Sequence, residues 1–138
     1  MMKSTNQAPI VLFVCEHGSA KSVVAAAHFN RLAGERDLNL RAVSRGTDPD
    51  EEIAPGALKG LRADGLELNG EKPERLSEDD LTGAVRVVTF CQMPEAYSDT
   101  GAVEHWSDVP PVSEDYDKAR DAIVGRITNL LDELRTAN

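Results

Sequence analysis

The sequence predicts an α/β fold: a single domain on a doubly wound sheet of about four parallel strands, flanked by helices. Three observations predict it. Short β-branched runs alternate with longer helical stretches, as right-handed βαβ crossovers require. The first run, Pro9–Val14, is apolar almost throughout, as expected of a central parallel strand covered on both faces. Finally, Cys15, Arg45, Cys91 and Asp108 each sit at the carboxyl end of a strand candidate, the edge where such sheets bind ligands.

Each element has a local reason. Lys21–Ala33 is alanine-rich and helical, with Gly34 as its expected C-terminal cap. Leu40–Arg45 forms the second strand, stopped by Gly46. Pro55 suits the first turn of a helix that ends at Gly65, with Leu58 and Leu61 on one face. Ser77, followed by three acids, starts a short helix before Leu81. Val85–Phe90 is the clearest β-branched run and leads into Cys91. Residues 92–101 read as a loop, and 101–104 as a last short strand running into His105–Asp108. Ser113 is the expected cap of a final helix whose apolar face carries Ala119, Ile123, Ile127, Leu130, Leu131 and Leu134.

Length and charge bound the function. The 138 residues suit one domain, with residues 1–8 a flexible polar N-terminus and residues 9–138 the folded unit. Neither a secretory signal nor a bilayer-spanning run is apparent, so a cytoplasmic location with reduced cysteines is expected. A net charge of −9 without a basic stripe argues against nucleic acid as a partner, and the lack of a spanning run leaves no membrane partner expected. The same charge works against anions, so an anion site needs strong local donors.

Those donors are expected where the first strand turns into the first helix. Cys15 ends the strand, Glu16, His17, Gly18, Ser19 and Ala20 follow, and Lys21 and Ser22 open the helix. Backbone N–H groups can converge in such a loop, and the helix N-terminus adds partial positive charge. A nest of this kind holds an oxyanion and also favours a thiolate. The loop therefore offers a nucleophile beside a cradle for its electrophile.

Plainer readings stand beside the chemical ones. Cys15 and Cys91 could be packed, inert thiols. Asp108 could be a turn acid before Pro110 and Pro111. Lys21 could be a surface lysine, although a cation near a helix N-terminus is unfavourable without a compensating anion. His17 reads as an exposed loop side chain, Trp106 as a packing anchor, and the acids at 50–52 and 78–80 as solvated faces or helix starts. No metal is expected, because Cys15, His17, Cys91 and His105 lack the paired spacing of a zinc site.

Taken together, these segments resemble the low-molecular-weight protein tyrosine phosphatase superfamily, most closely the bacterial thiol-dependent arsenate reductases. The family loop has Cys, two variable residues, Asn, two variable residues, Arg and Ser after the first strand. Cys15, Gly18, Lys21 and Ser22 occupy the matching positions. Val87–Cys91 is similar to the reductase strand that ends in a second redox cysteine, and Glu104–Trp106 with Asp108 and Pro110 resembles the aspartate-bearing loop. The resemblance implies a phosphotyrosine protein phosphatase I-like fold in which Cys15 attacks arsenic or phosphorus. It further implies that residues 16–21 hold the oxyanion, Ser22 steadies the thiolate, Asp108 protonates the departing oxygen and Cys91 resolves the adduct.

The chain differs from the family in informative ways. Lys21 replaces an arginine, exchanging a planar fork for a point charge, and Arg45 is the candidate to restore a guanidinium. Gly18 replaces asparagine at a position expected to need a left-handed backbone. Ser98 stands where thioredoxin-coupled reductases carry a third cysteine. Val109–Pro111 offers no aromatic clamp for phosphotyrosine. The leading expectation is an arsenate reductase-like enzyme without a bound cofactor, supplied with electrons by glutathione, mycothiol or a thioredoxin system. A phosphatase acting on phosphoesters and a catalytically weak oxyanion-binding homologue are the alternatives.

Overall fold

A computed structural model describes residues 8–68, 70–93 and 103–137. The elements in chain order are β1 (Ile10–Cys15), α1 (Lys21–Glu35), β2 (Arg41–Gly46), α2 (Pro55–Ala63), α3 (Glu78–Gly83), β3 (Ala84–Thr89), β4 (Val103–His105) and α4 (Tyr116–Ala137). The four strands form one sheet in the order β2-β1-β3-β4, with every neighbouring pair parallel. β1 is central and buried on both faces, as its apolar run requires.

Alternation along β1 divides the core. Val11, Phe13 and Cys15 face α1, α2 and α4, where Phe29, Leu61, Ile123, Ile127 and Leu131 pack. Leu12 and Val14 face the other way, toward Leu76, Leu81 of α3, Val87 and Met93. Trp106 is almost fully buried against Phe13 and Phe90, and its Nε1 donates to Glu104 at 2.8 Å. No helix among the described residues is long and apolar enough to cross a membrane.

Several boundaries follow the expected chemistry. Pro55 opens α2, and Gly65 follows it with φ 82°. Ser77 and Asp80 form a reciprocal capping box at α3. Two caps differ from expectation. α1 runs through Gly34 to Glu35, and the left-handed residue is Asp37 at φ 57°. Asp37 N donates to Gly34 O and Leu38 N to Ala33 O, a Schellman closure with Asp37 as its left-handed residue. At α4 the cap is Asp115, whose Oδ1 accepts from Lys118 N, because Pro111 O draws residues 111–115 into a separate turn. Ser113 lies inside that turn. Residues 94–101 of the expected 92–101 loop, with Ser98, and residues 1–7 of the expected flexible N-terminus fall outside the described residues.

The ladder continues slightly past its strands and thereby places the site. Phe90 N donates to Val14 O and Trp106 N to Thr89 O. Cys91 is thus carried to the same carboxyl edge as Cys15.

Candidate active site

The loop after β1 is held from outside by its own carbonyls. Cys15 O accepts from Thr47 N, Glu16 O from Asp48 N, His17 O from Asp50 N and Ser19 O from Ala54 N. A trans peptide directs its N–H opposite to its C=O, so the amides of Glu16, His17, Gly18 and Ala20 turn inward. Among the described residues, the N–H groups of Glu16 to Ala20 donate to no backbone carbonyl. Ala20, the N-cap of α1, supplies no side-chain cap. Loop and helix together leave a cup of orphan donors of the kind that binds anions.

Glycines let the loop close. Gly18 adopts φ 61°, the left-handed conformation expected of it. Ser19 is buried, and its hydroxyl donates to Asp50 Oδ2 at 2.9 Å, so one of the acids read as solvated instead braces the loop.

At the floor of the cup, Cys15 Sγ lies 2.9 Å from Ser22 Oγ, which lies 2.6 Å from Ser44 Oγ. Ser22 is fully buried and Cys15 is 8 % exposed. A hydroxyl donating to sulfur stabilises the thiolate, and Ser44 donating to Ser22 orients that hydroxyl. Ser44 went unnoticed in the sequence, although strand alternation puts it on the face of Phe13 and Cys15.

A cavity of about 400 Å³ opens over the sulfur. Cys15, the loop residues Glu16, His17, Ser19, Ala20 and Lys21, the start of α2, Phe90, Cys91 and the 111–113 turn line it. Both cysteines are free thiols and share this space. Burial raises the Cys91 pKa above the ordinary thiol value, the Thr89 hydroxyl opposes that rise, and the charge of Cys15 adds to it. Thr89 Oγ1 also accepts from Cys91 N at 3.2 Å and donates to Cys91 O at 2.9 Å, fixing the turn that presents the thiol. Lys21 lines the cavity and makes no ion pair among the described residues.

Two expected site residues lie elsewhere. Arg45 pairs in register with Val14, so its side chain leaves on the opposite face of the sheet from Cys15. There it donates to Asp80 Oδ2 at 3.1 Å and pairs with Glu74 at 3.4 Å, and it does not line the Cys15 cavity. Asp108 is exposed and ion-paired with Arg126 of α4, and it too is absent from the cavity wall. The Arg126 hydrogen bond holds its carboxyl below the ordinary carboxylate range, the wrong direction for a proton donor.

His17 is exposed, as expected, with Nδ1 3.1 Å from Asp48 O. That contact raises its pKa, burial opposes the rise, and Asp50 and Glu16 add to it. Among the described residues, Glu16, His17 and Asp48 bring ligand atoms within 4.8 Å of one another. All three are exposed, an arrangement common on acidic surfaces without an ion.

A family model described as low molecular weight phosphotyrosine protein phosphatase matches residues 10–121. The chain belongs to this family. A Halobacterium salinarum protein named "Putative arsenate reductase" is 26 % identical over 127 residues, covering 88 % of this chain and 89 % of that protein. The low molecular weight protein tyrosine phosphatase of T. tengcongensis superposes with a TM-score of 0.77 at 23 % identity, over 91 % of this chain and 99 % of the other. The thioredoxin-dependent arsenate reductase of Corynebacterium glutamicum gives 0.71 at 25 % identity, over 95 % of this chain but 64 % of the other. The two solved structures share the fold of this chain.

Proposed function

We propose that this member of the family is an arsenate reductase-like enzyme in which Cys15 is the nucleophile and Cys91 the resolving thiol. The observation that carries the reading is the opening of both free thiols onto one cavity. Arsenate sits in the cup of amides from residues 16–20, with Lys21 supplying positive charge. The Cys15 thiolate attacks arsenic(V); a sulfur–arsenic bond forms and one oxygen leaves as water after taking a proton.

Resolution follows from the coupling of the two sulfurs. Burial raises the pKa of Cys91 and the charge of a Cys15 thiolate adds to that rise, which favours the protonated Cys91 thiol before the attack. Once Cys15 is bound to arsenic, that charge is gone and Cys91 ionises more readily. Its thiolate attacks Cys15 Sγ, the sulfur–arsenic bond breaks, and the electron pair passes to arsenic. Arsenate and two thiols become arsenite, one disulfide and one water. An external thiol then reduces the disulfide.

A phosphatase shares the first step but uses water as its second attacker. The two are separated by mass measurement after incubation with arsenate. A Cys15–Cys91 disulfide, or a mixed disulfide with added thiol, that forms only with arsenate supports reduction. Hydrolysis of p-nitrophenyl phosphate that survives Cys91→Ser, without any arsenate-dependent disulfide, overturns it in favour of the phosphatase. Failure of both assays while phosphate still shields Cys15 from alkylation leaves an oxyanion-binding homologue.

A further inference from the structure

The cup draws its amide N–H groups from residues Glu16 to Ala20, and all but one are aimed by a bond to the preceding carbonyl. Thr47 N, Asp48 N, Asp50 N and Ala54 N hold the carbonyls of Cys15, Glu16, His17 and Ser19. Those bonds set the peptides that carry the N–H groups of Glu16, His17, Gly18 and Ala20. The exception is the peptide between Gly18 and Ser19. Among the described residues, Gly18 O accepts from no backbone N–H. Gly18 adopts φ 61°, and glycine leaves the adjoining peptide more freedom than any other residue.

A side chain supplies the missing constraint. Ser19 is 4 % exposed, and its hydroxyl donates to Asp50 Oδ2 at 2.9 Å. Asp50 Oδ1 lies 3.5 Å from His17 Nδ1, and Asp50 N donates to His17 O at 3.0 Å. One residue thus holds the loop on both sides of Gly18. Asp50 is itself placed by its surroundings: Pro49 restricts the backbone before it, and Ile53 is buried in the core after it.

We infer that Asp50 is a positioning residue for the bound oxyanion: through Ser19 Oγ it fixes the Gly18–Ser19 peptide, the one peptide of the cup that no carbonyl bond holds. The inference rests on the oxyanion-cup reading above and deepens it. The role belongs to hydrogen bonding and not to charge. A carboxylate beside the cup repels an anion, so what Asp50 contributes to binding is the acceptor oxygen it offers Ser19. Without that oxygen a buried hydroxyl loses its partner, in a protein whose described buried side-chain polar atoms are all paired. The thiolate is set separately, by Ser22 and Ser44. Anion affinity and thiol reactivity therefore come apart when Asp50 is changed.

The test follows alkylation of Cys15 by iodoacetamide, located by peptide mass, against increasing inorganic phosphate. Asp50→Ala and Ser19→Ala are each expected to need roughly tenfold more phosphate for half-protection, the scale of one hydrogen bond. The rate without phosphate is expected to stay within about twofold of wild type. Asp50→Asn keeps an acceptor for Ser19 and drops the charge, and is expected to match wild type or to be protected at lower phosphate. In the Ser19→Ala, Asp50→Ala double variant the two losses should not add, because both remove the same bond. An Asp50→Ala protein that is folded by its thermal midpoint and protected like wild type overturns the inference. So do additive losses, a loss in Asp50→Asn equal to that in Asp50→Ala, and a rate without phosphate that falls in parallel with protection. If Asp50→Ala does not fold, Ser19→Ala and Asp50→Asn decide by the same criteria. Absence of phosphate protection in wild type overturns the cup, and this inference with it.

Discussion

Gly18 and Gly46 touch backbone to backbone, and the nucleophile loop is shaped by that contact. A Cβ on Gly46 would lie 2.7 Å from Gly18 N and 2.9 Å from His17 C, atoms that cannot move without moving the loop. Gly46 also ends β2 opposite Cys15. Gly46→Ala is therefore expected to displace the cup, costing about 1–3 kcal/mol of stability. Phosphate protection of Cys15 should fall at least tenfold, on the order of one such increment. Protection equal to wild type would show that the close approach does not shape the site.

Ser22→Ala removes the hydroxyl 2.9 Å from the sulfur and leaves Ser44 without that partner. A charge-assisted hydrogen bond contributes about 1.5–3 kcal/mol. Alkylation of Cys15 near neutral pH is expected to slow by roughly tenfold or more. Ser44→Ala is expected to give a smaller loss, because Ser44 acts through Ser22. An alkylation rate indifferent to Ser22 would remove it from the mechanism.

The site was legible where local chemistry decides and obscure where a neighbour decides. Cys15, the left-handed Gly18 and the Ser22 contact follow from a strand running directly into a helix. Ser44 lies on the site's face and Arg45 off it because one residue of strand alternation separates the two faces of the sheet. Asp108 lies in the segment that resembles the family's aspartate loop, but its side chain is held by Arg126, a residue distant in sequence. Gly34 and Ser113 were reasonable caps on composition. They yielded to Asp37 and Asp115 through the Schellman bonds of Leu38 and the Pro111 turn.

The position of Arg45 gives a direct check. Its guanidinium donates to Asp80 and to Ser44 O and pairs with Glu74, all away from the cavity. Arg45→Ala is expected to lower stability by about 1–2 kcal/mol through these lost bonds. Phosphate protection of Cys15 should remain within twofold of wild type, roughly the experimental scatter. A larger loss, in protein that unfolds at the wild-type temperature, would return Arg45 to the site.

Glycines within helices should respond with opposite signs. A Cβ on Gly60 of α2 would come within 2.2 Å of the Tyr116 ring, whereas one on Gly125 of α4 meets nothing within 4 Å. Gly125→Ala should stabilise by about 0.5–1 kcal/mol, the ordinary helix preference. Gly60→Ala should instead destabilise by about 1–3 kcal/mol, because the α2–α4 contact is overpacked. Denaturant midpoints of the two variants on either side of wild type would bear this out; both moving the same way would not.

Stability should weaken in mild acid because of His28. This side chain is 1 % exposed, with Nδ1 3.2 Å from Arg31 Nη2 and Nε2 3.3 Å from Asp64 Oδ2 and from the Tyr116 hydroxyl. A guanidinium only donates, so Nδ1 accepts and the imidazole proton sits on Nε2, facing Asp64. Burial lowers the His28 pKa below 6.5; Arg31 and Arg120 lower it further, and Asp64 opposes them. The unfolded chain therefore takes up this proton at a higher pH than the folded chain does. The contribution of neutral His28 is complete above about pH 6.5 and is lost as the pH falls below it. His17, with its pKa raised, contributes with the opposite sign, so the diagnostic quantity is a difference between proteins. Between pH 7.5 and 5, the thermal midpoint of wild type should fall more than that of His28→Gln. Parallel profiles would show that proton uptake at His28 does not limit stability in this range.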